Sequence, residues 1–337
     1  MDTLTHIAIG ACIGEAVLHK QIGKKALLWG ILAQSIPDID FIASFWLDPS
    51  ENLLAHRGFT HSFLFAIFIS LSMSLAADHW HRPHNIRFTK FILFFTAQVF
   101  IHDILDAMNS YGVGWFEPFS HKRISFNILF VADPLFSIAP GLAVAALFIL
   151  KNSKSKLRAF WMRIGLTLPL LYLGYAGFNK IAIDKDVQAA FTVQKIQHTD
   201  YFTTPTPFNN WLWYVVAKSD SGYNIGYRSV FDKNPTIYFT YFPRNDSLMK
   251  SVLDNEDAQN LLRFARGFYT IEYWNDTLIF NDLIFGQVAG WQNPKAKFAF
   301  HYFLDNPSGN LLVVQRGRLQ GWNRESLRAL FKRIKGN

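Results

Sequence analysis

Residues 91–109 read FILFFTAQVFIHDILDAMN. The run is long enough for a membrane span, which takes about 17–25 predominantly apolar residues. Its second half nevertheless carries His102, Asp103 and Asp106. His102 and Asp106 are four apart, so a helix sets both on one face, and Gln98 and Asn109 extend that polar stripe. A charged side chain at mid-bilayer costs about 2.5–3.5 kcal/mol or more. The pair therefore reads either as a neutral His and a hydrogen-bonded Asp packed between helices, or as a functional face. Asp103 points off the stripe and reads as a group that orients a ligand histidine.

The rest of the first half has the same character. Stretches 63–78, 128–150 and 164–181 also have spanning length, and two shorter apolar stretches, 4–18 and 26–36, precede them. Basic residues recur in alternate connections: Lys20, Lys24 and Lys25; Arg82, Arg87 and Lys90; Lys151, Lys154, Lys156, Arg158 and Arg163. The positive-inside rule puts these in the cytoplasm, which is consistent with six crossings and both termini outside. The competing arrangement leaves the two short helices uncrossed and the N-terminus cytoplasmic. Asp2, His6 and Glu15 interrupt the opening, so no cleavable signal peptide is expected.

Beyond Ile181 the pattern changes. A helix continuing out of the membrane is predicted over 184–197, then aromatic-rich alternating segments at 211–217, 223–231, 236–242, 268–273, 277–280, 297–303 and 311–314. Turn signals at Ser221-Gly222, Asn275-Asp276 and 306–309 separate them, and helices are predicted at 247–266 and 324–334. The expected fold class is a multi-span α-helical membrane domain (residues 1–181) followed by an α+β extramembrane domain (182–337), periplasmic in a Gram-negative cell.

Composition agrees. Of 337 residues, 50% are hydrophobic and only 17% charged, against about 25% charged in soluble domains. The net charge of +8 sits largely in short loops beside apolar runs, so direct nucleic-acid binding is not expected. A single cysteine, Cys12, excludes a disulfide framework and a Cys-rich zinc site. No nucleophile elbow and no phosphate-cradling glycine loop occurs.

Candidate ligands converge on one membrane face in the six-crossing arrangement: His6, Asp38, Asp40, His56, His61, His102 and Asp106. Each alone has an ordinary reading as a cap, a turn residue or a solvated histidine. Imidazole and carboxylate donors without thiolates suit one or two divalent ions, Zn2+ first, with Mn2+ or Mg2+ as alternatives. His79, His81 and His84 fall in a basic loop on the opposite side, and His121 ranks below the seven.

The opening Met1-Asp2-Thr3-Leu4-Thr5-His6, then Pro37-Asp38-Ile39-Asp40, His56-Arg57-Gly58-Phe59-Thr60-His61-Ser62 and His102-Asp103-Ile104-Leu105-Asp106 resemble the YdjM-like family. Asn109-Ser110-Tyr111-Gly112, Pro118-Phe119-Ser120 and Asp133-Pro134-Leu135-Phe136 follow in the same order. The resemblance covers about residues 1–180. It implies an inner-membrane, metal-dependent hydrolase, and a LexA-type partner, since some members are described as LexA-binding. More distantly, His102 and Asp106 resemble the His-x-x-x-Asp helix pair of zinc-dependent phospholipase C and its nuclease relatives. A second, His-x-x-x-Glu pair is missing here, which argues against three metals.

The expected activity is metal-assisted hydrolysis of a phosphoester or another amphiphilic, lipid-linked substrate at the bilayer surface. Asp38 or Asp40 would ligate or bridge, Asp40 and Asp103 would serve the chemistry, and Arg57 would neutralise an anionic substrate group. The alternative is a non-enzymatic membrane scaffold or regulator with a structural metal. A transporter would need polar residues at mid-depth on several spans, and only the helix of His102 and Asp106 has them.

Overall fold

Pro37 ends the second of two helices that lie against each other at the start of the chain. In the computed structural model, which describes residues 1–82, 85–150, 152, 155–250, 252–304 and 322–337, these are α1 (Thr3–Ile22) and α2 (Lys25–Ser35). Their contact is set by small residues. A Cβ on Gly30 would meet the Gly10 carbonyl oxygen at 2.0 Å, and one on Gly14 would meet that of Ala26 at 2.1 Å. Gly10 and Gly14 are four apart, as are Ala26 and Gly30, so two glycine-alanine ridges let the backbones touch. Proline has no N–H to continue α2, and the chain turns by 56° into a 3-10 helix, Pro37–Phe45.

The chain divides into two units. The first holds Met1–Ala43 and Ala55–Ala176; the second holds Ser44–Leu54 and Gly177–Asn337. The second thus begins at Gly177 rather than after Ile181, and it takes in a short segment from early in the chain, most of α3 (Pro49–Ala55).

In the first unit, α4 (Phe63–His81) and α5 (Phe88–Ala107) are long and apolar enough to cross a membrane, and α2 with the 3-10 helix makes a third such span if the bent pair counts as one. Ser62 caps α4 by accepting from the Phe65 N–H at 3.1 Å. The expected span at 128–150 contains only α6 (Pro134–Ile149), because Asp133 caps a helix that starts at Pro134. α7 (Lys156–Val193) runs continuously across residue 181, as expected of a helix that continues out of the last apolar stretch. Beneath α4 and α5, Met73, Ala77, Phe91, Phe94 and Phe95 pack with Leu18, Ala26 and Ala33.

The second unit has two antiparallel sheets. One has the order β1 (Asp200–Pro205), β2 (Leu212–Lys218), β3 (Gly222–Ser229), β4 (Thr240–Pro243); the other has β5 (Tyr269–Trp274), β6 (Thr277–Gln287), β7 (Phe298–Phe303). β2 is buried on both faces. Trp213, Val215 and Ala217 meet Ile183, Val187 and Phe191 of α7, while Tyr214 and Val216 share a core with Leu283, Ile284 and Phe298. β1 is not among the expected segments; it is an edge strand, a position that tolerates Pro205. The segment 236–242 is strand only from Thr240, and the single helix expected at 247–266 is two, α8 (Asp246–Met249) and α9 (Glu256–Phe264), with Asn255 capping the latter. α10 (Arg324–Ile334) carries a capping box on Asn323 and Ser326. The strand expected at 311–314, the turn at 306–309, and His84, Lys151 and Lys154 lie outside the described residues.

Candidate metal centre

α5 delivers His102 and Asp106 on one face, as its period dictates, and both are fully buried. Gln98, one turn earlier, donates to the Gly10 carbonyl at 3.1 Å and so ties α5 to the glycine crossing of α1. The bend at Pro37 carries Asp38 back over the end of α5. His61 arrives from the other side, at the end of a short 3-10 turn, Phe59–His61, that leads into α4.

These four side chains bring one ligand atom each to within 4.8 Å of one another. A tetrahedral ion with bonds of 2.0–2.1 Å would set its donors about 3.3–3.4 Å apart. His61 Nε2 is 3.1 Å from His102 Nε2 and 3.3 Å from Asp106 Oδ2. His102 Nε2 is 3.5 Å from Asp106 Oδ2, and Asp38 Oδ1 is 3.7 Å from both imidazoles. The spacings therefore match an ion-sized gap, and the donor set suits zinc or a similar divalent ion.

The ring partners explain why two histidines face each other. His102 Nδ1 donates to the Gln34 carbonyl at 2.6 Å, leaving the Nε2 lone pair for the cluster. His61 Nδ1 is 3.1 Å from Thr60 Oγ1 and 3.5 Å from Asp40 Oδ2, which turns its Nε2 inward too. Two imidazole Nε2 atoms and two carboxylate oxygens converge, a donor set that a cation can occupy when His61, like His102, carries its proton on Nδ1, toward Asp40.

The other expected ligands lie around this group. His6 stacks on His102 with ring centroids 3.8 Å apart, and its Nε2 meets the second oxygen of Asp106 at 3.1 Å. Asp40 accepts the Arg57 backbone N–H at 2.7 Å and holds His56 Nδ1 at 3.3 Å. His56 is half-exposed and outside the group of four. His121 is exposed and pairs with Glu117 at 2.8 Å. Asp103 is fully buried and bonds to no histidine; both its oxygens lack a hydrogen-bond partner among the described residues. The orienting role expected of it belongs, for His102, to the Gln34 carbonyl.

Arg57 also differs from expectation. Its guanidinium is buried and turned onto protein rather than outward. Nη1 donates to Asn109 Oδ1 at 2.9 Å, Nη2 to the Met1 carbonyl at 3.1 Å, and Nε lies 3.1 Å from Asp106 Oδ2. Its φ is +58°, a costly conformation for a residue with a Cβ, and it is locked by the bonds to Asp40 and Gly114. The Met1 amine pairs with Asp106 Oδ1. Sequence reading passed over Gln34, which bonds His6, the Gln98 carbonyl and His102. Its signal was a lone amide in the apolar run of α2.

Residues 1–181, which contain the whole cluster, match the family described as YdjM inner membrane protein. The chain is 34% identical over 122 residues to "Inner membrane protein YbcI" of Escherichia coli (strain K12), covering 36% of this chain and 69% of that protein. It is 29% identical over 152 residues to "Uncharacterized protein YfhP" of Bacillus subtilis (strain 168), covering 43% of this chain and 46% of that one. No solved structure matches it.

Proposed function

This chain belongs to the YdjM inner membrane protein family, and from that premise we propose that its helical unit is a metal-dependent hydrolase of a membrane-resident phosphoester or other amphiphilic, lipid-linked ester. The observation that carries the reading is the convergence of Asp38, His61, His102 and Asp106 at the edge lengths of a small coordination polyhedron. A divalent ion held there, Zn2+ first, supplies Lewis acidity toward a phosphoryl or acyl oxygen.

The chain's own groups have distinct tasks in this scheme. His61, His102 and Asp106 are fully buried and hold the ion, and Asp38, with 19% of its side chain exposed and the longest spacings, faces the approach. Arg57 is a positioning residue that fixes Asp106 and offsets its charge. Asp40 positions His61 and carries half-exposed His56 at the rim. The basic connections support the orientation with this site and the second unit outside the cytoplasm, and the six-crossing arrangement.

A second reading has its own support. Four protein donors complete a tetrahedron without water, as structural zinc sites do. The ion would then clamp α5, the Pro37 turn and the His61 turn together in a scaffold or regulator. Purified protein should be analysed for metals and then assayed on a panel of phospholipids and lipid-linked phosphates. Hydrolysis that disappears in Asp38→Asn while the metal is retained supports the enzyme. Metal-replete protein inert toward the whole panel, with Asp38→Asn losing its ion, supports the scaffold.

A further inference from the structure

The end of α4 remote from His61 carries a second site. The helix has 19 residues, which separates its ends by about 28 Å. At the far end Trp80 and His81 of α4 and Lys25, Leu28, Trp29 and Leu32 of α2 line a cavity of about 320 Å³. We propose that this cavity seats an anionic phospholipid of the adjacent leaflet, its phosphate at Lys25 and an acyl chain along Leu28 and Leu32.

Position argues first. α4 is long and apolar enough to cross a membrane, so its last turn lies where the hydrocarbon gives way to headgroups. Trp29 and Trp80 meet edge to face there, centroids 6.3 Å apart, and indole rings concentrate at that depth. The Trp29 Nε1–H donates to His81 Nε2 at 2.8 Å, which anchors the wall of the cavity to α4.

Shape and charge argue next. Leu28, Leu32 and Trp80 are 58%, 46% and 73% exposed, a strip of apolar surface left uncovered by this unit. Leu28 and Leu32 are one helical turn apart, so they form a continuous track. The one ammonium in the lining is Lys25, exposed at the start of α2, with no carboxylate partner among the described residues. The neighbouring carboxylates are engaged: Asp78 with Arg82, and Glu15 with Arg158. Lys20, Arg87 and Lys90 sit at the same ends of α1 and α5 and add positive potential. Apolar walls with one cation at the headgroup level fit a lipid phosphate with its chain; basic pockets between spanning helices recognise anionic headgroups in this way.

The test is native mass spectrometry of the full chain in mild detergent, titrated separately with dioleoylphosphatidylglycerol, dioleoylphosphatidylcholine and inorganic phosphate. Phosphatidylglycerol adducts should dominate, Lys25→Glu, which shifts the charge by two, should weaken them about thirtyfold, and Lys25→Arg should keep them. Trp80→Ala should weaken both lipids. Should charge reversal disturb folding, as read by circular dichroism, Lys25→Gln replaces it with the same expectation in smaller degree. Equal binding of the two lipids, a phosphatidylglycerol preference that survives loss of the Lys25 charge, or displacement of the lipid by millimolar inorganic phosphate would each overturn the assignment.

Discussion

His61 Nε2 and His102 Nε2 lie 3.1 Å apart with both rings fully buried, and each ring's other nitrogen is directed to an oxygen. With the ring protons on the Nδ1 atoms, as the Gln34 carbonyl requires of His102 and as Asp40 favours for His61, neither Nε2 has a proton to offer the other. The pair is arranged for something positive between them.

Metal content should therefore follow a hierarchy. His61→Ala and His102→Ala should each abolish most bound metal in elemental analysis of purified protein. Asp40→Ala, which removes the oxygen beside His61 Nδ1 together with the acceptor of the Arg57 N–H but no ligand, should weaken affinity about 10–100-fold. His56→Ala should retain full stoichiometry. Loss of metal from His56→Ala as complete as from His102→Ala would place the ion elsewhere.

Arg57 and the Met1 amine are the charges that face Asp106 when no ion is present. Arg57→Ala should cost about 3 kcal/mol in chelator-treated protein, because it leaves a buried carboxylate with the Met1 amine alone to offset it. In metal-loaded protein the ion shares that task and the loss should be smaller. Arg57→Lys should fall between, since an ammonium keeps charge but not the fork that spans Asn109, Met1 and Asp106. Thermal unfolding in detergent with and without chelator measures the difference. Identical shifts under both conditions would detach Arg57 from the metal centre.

The crossing of α1 and α2 should tolerate no side chain at Gly30. A Cβ there meets the Gly10 carbonyl oxygen at 2.0 Å, so Gly30→Ala should destabilise by about 1–3 kcal/mol and lower metal retention. Gly141→Ala on α6, where a Cβ meets nothing within 4 Å, should be neutral or mildly stabilising. Equal melting temperatures for the two variants would show that the crossing is looser than described.

Asp282 in β6 gives a pH dependence of known sign. Burial pushes its carboxyl up to about 7 from the ordinary 3.8, outweighing the Ile284 N–H and the Arg266 guanidinium, which favour the ionised form. The folded state then holds a proton that the unfolded state has released. Its contribution to stability is complete below pH 3.8 and falls as pH rises toward 7, by ~4 kcal/mol in all. Asp282→Asn should flatten that part of the stability–pH curve and raise stability at pH 8. An unchanged slope between pH 4 and 7 would mean the group titrates normally.

Orientation can be read with thiols. In a Cys12→Ser background, Asp220→Cys in the β2–β3 hairpin should react with an impermeant maleimide in intact cells. Asn152→Cys, beside the basic connection before α7, should be shielded until the cells are broken. The reverse pattern would put the second unit in the cytoplasm and make contact with a LexA-type partner sterically open.

Local chemistry made much of this legible. Helical period alone put His102 and Asp106 on one face of an apolar helix, and alternation marked β2, β3, β5, β7 and the first four residues of β6. Asn275, with φ at +55°, sits in the expected hairpin between β5 and β6. Pro205 obscured β1, because the tolerance of an edge position depends on where the strand lies in its sheet.

The amino-acid sequence was sufficient for an apolar helical half, a mixed α/β half, and a thiolate-free set of histidines and aspartates, because spacing along one helix or strand is a property of the chain itself. Selection within that set came from packing. Asp38 enters the cluster and Asp40 stops at its edge, though both follow Pro37, because the 56° bend and the Gly10–Gly30 contact aim one carboxylate at α5 and the other at the backbone of Arg57. Gln34 and Arg57 became positioning groups for the same reason. Their partners come from other helices and from the distant N-terminus, and those meetings exist once α1, α2, α4 and α5 have closed on one another.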